Sequence, residues 1–84
     1  MNRETAKKIA SHYFDDPRRL NKVKDTAAYI GRDLHFETSP KVSIGRLMRA
    51  MNDPLIEDIS LSTHYNYRGE IKYQVVITFK EDMP

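Results

Sequence analysis

Residues 25–34 of the chain read DTAAYIGRDL, and residues 39–52 read SPKVSIGRLMRAMN. In the first stretch Asp25 stands before an apolar-periodic run, the place from which a short carboxylate accepts the free N–H groups of a helix's first turn. Ala27, Ile30 and Leu34 follow at helical spacing, so the segment predicts a helix with a buried stripe. Gly31 inside that helix costs about 1 kcal/mol against alanine, which implies a packing reason such as close approach of the next helix. In the second stretch Ser39 is an N-cap and Pro40 occupies the first helical position, where its missing N–H costs nothing. Ile44, Leu47, Met48 and Met51 fall on one side of this helix as a core-facing stripe, and Val42, Arg46 and Arg49 fall on the other. The short link HFETSP between the two predicted helices makes a helix-turn-helix unit whose second helix projects outward.

Toward the N-terminus, RETAKKIASHYF (residues 3–14) carries Ala6, Ile9, Ala10, Tyr13 and Phe14 at helical spacing, with Lys7, Lys8 and Ser11 off that face. This first helix is expected to stop at Asp15-Asp16-Pro17, because proline pushes the residue before it out of the helical region. PRRLNKVK, residues 17–24, reads as a short helical turn and connector.

Toward the C-terminus, DPLIEDI leads into strict period-2 alternation. Ile59, Leu61, Thr63 and Tyr65 share one face, as do Ile71, Tyr73, Val75, Ile77 and Phe79, which predicts two β-strands. Both apolar faces must lie on the same side of the hairpin, so odd-numbered residues must pair with odd-numbered ones, and a two-residue Arg68-Gly69 turn would mismatch every pair. A three-residue loop, Tyr67-Arg68-Gly69, obeys the rule and puts Gly69 where a left-handed residue is wanted. The expected pairs are Tyr65 with Ile71, Thr63 with Tyr73, Leu61 with Val75 and Ile59 with Ile77, with Arg68 at the tip.

Three helices followed by a two-stranded hairpin is the order of an α+β winged helix, and residues Asp25 to Phe79 resemble the winged helix-turn-helix superfamily of DNA-binding domains. DTAAYIGRDL is similar to its second helix, PKVSIGRLMRAMN to its recognition helix, and LIEDI with the hairpin to the strand and wing that follow. The resemblance implies a small sequence-reading protein of transcriptional or replication control, with its third helix in the major groove of duplex DNA and its wing on the backbone or minor groove. It assigns Lys41, Val42, Ser43, Arg46 and Arg49 to the groove and Arg68 to the wing, and it implies a homodimer. Winged helices also serve as protein-interaction modules, so the same basic helix docked on an acidic protein partner is the alternative.

Composition sets the bounds. Eighty-four residues make one domain, near the size at which a single core holds a fold without staples. There is no cysteine, so disulfides, thiolate metal sites and a cysteine nucleophile are unavailable, and a cytoplasmic setting is expected. The N-terminal MNRETAKK has no apolar core and no 18-residue apolar run occurs, so neither a signal peptide nor a membrane span is expected. Residues 1–50 hold eleven Lys/Arg against six Asp/Glu, and residues 51–84 hold three against six, so the positive charge is concentrated in the first part. Such a bias supplies sequence-independent attraction to phosphate. His12, His35 and His64 lie on three different elements without zinc-ligand spacing. His35, Glu37 and Ser39 read as turn and cap residues rather than as a catalytic group, the three glycines are isolated, and the chain is expected to be no enzyme and to hold no metal or cofactor. Tyr65, Tyr67 and Tyr73 are suited to stacking on single-stranded bases, but tyrosine's strand preference favours cross-strand packing.

Overall fold

The computed structural model describes residues 1–15, 23, 27–38 and 44–80. Helix α1 spans Arg3–Phe14. The Asn2 side chain caps it by accepting the Thr5 N–H at 2.9 Å, and Glu4 places negative charge in its first turn, where the helix dipole favours it. It ends at Asp15, whose extended backbone leads toward Pro17. Ala6, Ala10 and Phe14 form its buried stripe.

The next element is not a helix. DTAAYIGRDL holds β1 (Ala28–Ile30), a two-residue turn at Gly31-Arg32, and the start of β2 (Asp33–Thr38). Gly31 sits at φ 63°, in the left-handed region that two-residue hairpin turns require. The glycine that looked like a cost inside a helix is therefore the turn itself. Leu34, Phe36 and Thr38 are buried while His35 and Glu37 are not, so the alternation of a half-buried strand runs through HFET. The winged-helix architecture of three helices and a two-stranded hairpin is thereby overturned: the described residues hold two helices and a four-stranded sheet.

Helix α2 spans Ile44–Met51, β3 spans Ile56–Tyr65 and β4 spans Ile71–Phe79. The sheet is antiparallel throughout, in the order β1-β2-β4-β3. The caps expected at Asp25 and at Ser39-Pro40, and the connector 17–24 apart from the buried Val23, lie outside the described residues.

In the β3–β4 hairpin Tyr65 pairs with Ile71, Thr63 with Tyr73, Leu61 with Val75 and Ile59 with Ile77, the register that the parity argument demands. The Asn66 N–H donates to the Glu70 carbonyl and the Gly69 N–H to the Asn66 carbonyl, which closes a three-residue loop with Gly69 at φ 78°. A bulge between Ile56 and Asp58 adds one residue. It brings Ile56 to the same face as Ile59, which strict alternation would have forbidden.

Both helices lie on one face of the sheet, α1 against β1 and β2, α2 against β3 and against α1. Between the layers Leu34, Phe36, Val75, Ile77 and Phe79 meet Ala6, Ala10, Phe14, Ala50 and Ile56. Each fully buried large side chain contributes about 1.5–3 kcal/mol. Phe14 meets Phe36 edge-on at 5.3 Å between ring centroids, joining α1 to the middle of the sheet. The opposite face of the sheet is open and mostly polar. There the Thr78 hydroxyl donates to Asp33 at 2.7 Å, and the His64 ring lies 3.1 Å from the Glu37 carboxylate.

Candidate interaction surface

Helix α2 is turned about its axis relative to the orientation its apolar stripe predicts. Ala50 is fully buried and Leu47 is half-buried, but Ile44, Met48 and Met51 are 74%, 61% and 46% exposed. Two contacts account for the rotation. Ala50 is fully buried in the same core cluster as Ala6 and Ala10 of α1, the helix that α2 touches. Arg46, expected on the outer face, is half-buried instead and donates from Nη1 to the carbonyls of Tyr13 at 3.0 Å and Asp15 at 3.1 Å. The last carbonyls of a helix have no partner within it, and they attract a cation. Arg46 fills that need for α1.

Of the residues assigned to a DNA groove, Arg46 thus faces inward, Arg49 is exposed, and Lys41, Val42 and Ser43 lie outside the described residues. Arg68 is exposed at the hairpin tip, where its Nε donates to the Tyr67 hydroxyl at 3.1 Å and its guanidinium lies 5.4 Å from the centre of that ring. The Asn66 carboxamide oxygen holds the tip by accepting the N–H groups of Arg68 and Glu70. Glu70 is exposed in the same loop, so the tip carries both signs of charge. Elsewhere Arg32 pairs with Glu57 at 3.3 Å and Arg3 with Glu4 at 3.1 Å. Among the described residues the basic bias of residues 1–50 is therefore partly balanced in place, and on α2 Arg49 is exposed while Arg46 is turned inward.

Apolar side chains also remain uncovered along the hairpin. The helices cover its root, where Val75, Ile77 and Phe79 are fully buried, while Leu61, Tyr65 and Ile71 on the same face are exposed. Thr63, His64, Tyr65, Ile71 and Tyr73 line a shallow concavity there. The period-2 pattern places Thr63, Tyr65, Ile71 and Tyr73 on the apolar face and His64 on the other, but a strand pattern contains no information on how far along its length helices will cover it.

A third feature is an edge. β3 ends the sheet, and among the described residues no strand lies beyond it. It is ten residues long, against three for β1 at the other edge. From Ile59 to Tyr65 it carries no proline and no Asp, Glu, Lys or Arg, the usual devices that blunt a free edge. That residues 59–65 alternate as a strand without Asp, Glu, Lys or Arg is legible in the sequence, but that they form an edge follows only from the sheet order.

Tyr13 and Asp53 hold the end of α1 to the turn after α2, with 2.7 Å between the phenol oxygen and a carboxylate oxygen. The hydrogen bond to Asp53, with burial and the carboxylate's charge behind it, raises the Tyr13 pKa above its ordinary value. Among the described residues no group of three His, Cys, Asp or Glu side chains is placed to hold a metal ion, and no helix is long and apolar enough to cross a membrane. No protein-family model, curated protein or solved structure matches the chain.

Proposed function

We propose that the chain is a protein-interaction module, non-enzymatic and cytoplasmic, that docks on another polypeptide through the outer flank of α2 and the projecting half of the β3–β4 hairpin. The observation that carries this reading is the solvent-facing stripe of Ile44, Met48 and Met51 on a helix whose inward face is already satisfied. An amphipathic helix normally spends its widest apolar face on its own core, and large exposed patches mark interaction sites. The want of cysteine accords with a reducing compartment.

Binding of duplex DNA through Arg49 and Arg68 is the weaker reading. Arg46, the centre of the face on which it depended, is occupied at the end of α1.

Site-specific photocrosslinking tests the proposal. A photoreactive residue at position 48 should give discrete polypeptide adducts in cells expressing the chain, and one at position 30, exposed on β1, should give none. Equal labelling from both positions, or none from 48, defeats the proposal. A gel shift with random duplex, titrated with salt, tests the other reading: phosphate contacts appear as a log-log slope of about 0.9 per contact.

A further inference from the structure

The partner of this surface can be named from the geometry of β3 and α2, given the interaction-module reading on which the inference rests. Taking about 100° per residue from Ile44, Arg46 points to about 200°, Ala50 to about 240° and Leu47 to about 300°. Arg46 touches the end of α1, and Ala50 and Leu47 pack into the core over the sheet. Continuing round in the same sense, Met51, Ile44 and Met48 point between about 340° and 40°. The exposed stripe therefore lies on the flank of α2 away from α1. Since α1 covers β1 and β2 while α2 covers β3, that flank looks out beyond the edge of the sheet at β3.

The edge below it is ready to pair. The Asn66 N–H bonds the Glu70 carbonyl across the hairpin, and antiparallel bonding alternates, so His64, Ser62 and Ser60 turn their backbone groups toward β4. Ile59, Leu61, Thr63 and Tyr65 turn theirs outward. A second strand on this edge must match odd residues with odd residues if the apolar faces are to agree.

We infer that β3 pairs with β3 of a second copy, antiparallel about a two-fold axis at Leu61, and that α2 of each copy covers the projecting hairpin of the other. In this register Leu61 meets Leu61 of the partner subunit and Ile59 meets Thr63 of the partner subunit. On the open face Asp58 stands opposite His64 of the partner subunit, and the two-fold repeats that pair. Tyr65 and Thr63, at the uncovered end of one hairpin, come beside the start of the other copy's β3, the end over which that copy's α2 lies. The outward stripe of that helix then closes over the concavity lined by Thr63, Tyr65, Ile71 and Tyr73.

Area supports the combination. A standard interface buries on the order of 800 Å² per partner. Seven paired residues cover roughly 24 × 10 Å of each copy, about a third of that, so the strand edge alone is insufficient and a stable dimer must bury the helix flank and the hairpin face with it. Isologous closure of this kind is the commonest symmetry of soluble oligomers.

The sequence contains no cysteine, which makes a direct test available. Directly opposed residues of a hydrogen-bonded antiparallel pair have Cα atoms about 5.5 Å apart, within disulfide reach. Mild oxidation of Leu61→Cys should give a disulfide-linked dimer, whereas Ile30→Cys, exposed on the opposite edge of the sheet, should remain a monomer. In sedimentation equilibrium the parent chain should be a dimer, and Leu61→Lys and Met48→Glu should each weaken association at least tenfold with the circular-dichroism spectrum unchanged. Should Leu61→Lys fail to fold, Met48→Glu on the exposed helix flank keeps the measurement decisive. A parent chain that stays monomeric into the high micromolar range, or equal cross-linking at positions 30 and 61, overturns the pairing. Adducts of position 48 with a different polypeptide would then leave the interaction module standing without self-pairing, and their absence would remove both.

Discussion

The Tyr13 hydroxyl lies 2.7 Å from the Asp53 carboxylate, and so ties the last turn of α1 to the residue at which the chain leaves α2 for the sheet. Asp53 is a junction in its own right: its other carboxylate oxygen accepts the Leu55 N–H and its carbonyl accepts the Ile56 N–H, which sets up the entry into β3.

The first prediction concerns pH. The Tyr13 pKa is raised in the folded chain, chiefly because its phenol is bonded to Asp53. A raised pKa means that the native state holds the proton longer than the unfolded state does. The stabilisation is then fully present below the ordinary tyrosine pKa of 10.0 and is lost as pH rises through the higher folded value. The melting temperature of the parent chain should therefore fall more steeply on the alkaline side than that of Tyr13→Phe. Parallel alkaline limbs would show that the bond does not stabilise the folded state.

The second prediction separates the two arginines of α2. Arg46→Ala removes a charged donor from two carbonyls at the end of α1 and should cost on the order of 2 kcal/mol in denaturant unfolding. Arg49→Ala, on the exposed face, should change stability by no more than about 0.5 kcal/mol. Equal effects would mean that the Arg46 contacts contribute nothing measurable.

A third pair of variants tests the rotation of α2. Ala50 is fully buried among the alanines of α1, so Ala50→Leu overpacks that contact and should destabilise by about 1–3 kcal/mol. Met51→Gln should leave monomer stability within about 0.5 kcal/mol when measured at a concentration too low for association. The reverse ranking would restore the stripe that amphipathicity alone predicts.

How much of this was legible in the sequence varies by element. α1 and the β3–β4 register are visible because local signals agree there: Ala6, Ile9, Ala10, Tyr13 and Phe14 recur at helical spacing, the run Asp15-Asp16-Pro17 stops the helix, and parity leaves one loop length for Tyr67 to Gly69. β1 and β2 were missed because Ala27, Ile30 and Leu34 satisfy a helical period by coincidence, while Leu34, Phe36 and Thr38 satisfy the strand period that the sheet uses. Three residues of strand followed by a glycine turn give too short a pattern for periodicity to arbitrate. The face of α2 was misjudged for another reason. Hydrophobicity ranks Ile44 and Met48 above Ala50 and Arg46, but close helix packing selects the small residue, and the carbonyls of α1 select the guanidinium. Both choices are made by a neighbour distant in sequence.

The last prediction returns to Gly31, on which the distinction between helix and hairpin turns. Its φ of 63° is strained for an L-residue with a side chain, yet nothing lies within 4 Å of a Cβ added there, so a substitution meets no steric clash and its whole effect is backbone energy. Gly31→Val, bulky and β-branched, should cost on the order of 1–2 kcal/mol, and Gly31→Asn, which tolerates the left-handed region, should cost less. In a helix the ranking would differ: replacing an interior glycine by alanine would stabilise by about 1 kcal/mol. Gly31→Ala is therefore decisive by its sign. A hairpin turn makes it destabilising, and a rise in the denaturant midpoint would place residues 25–34 back in a helix.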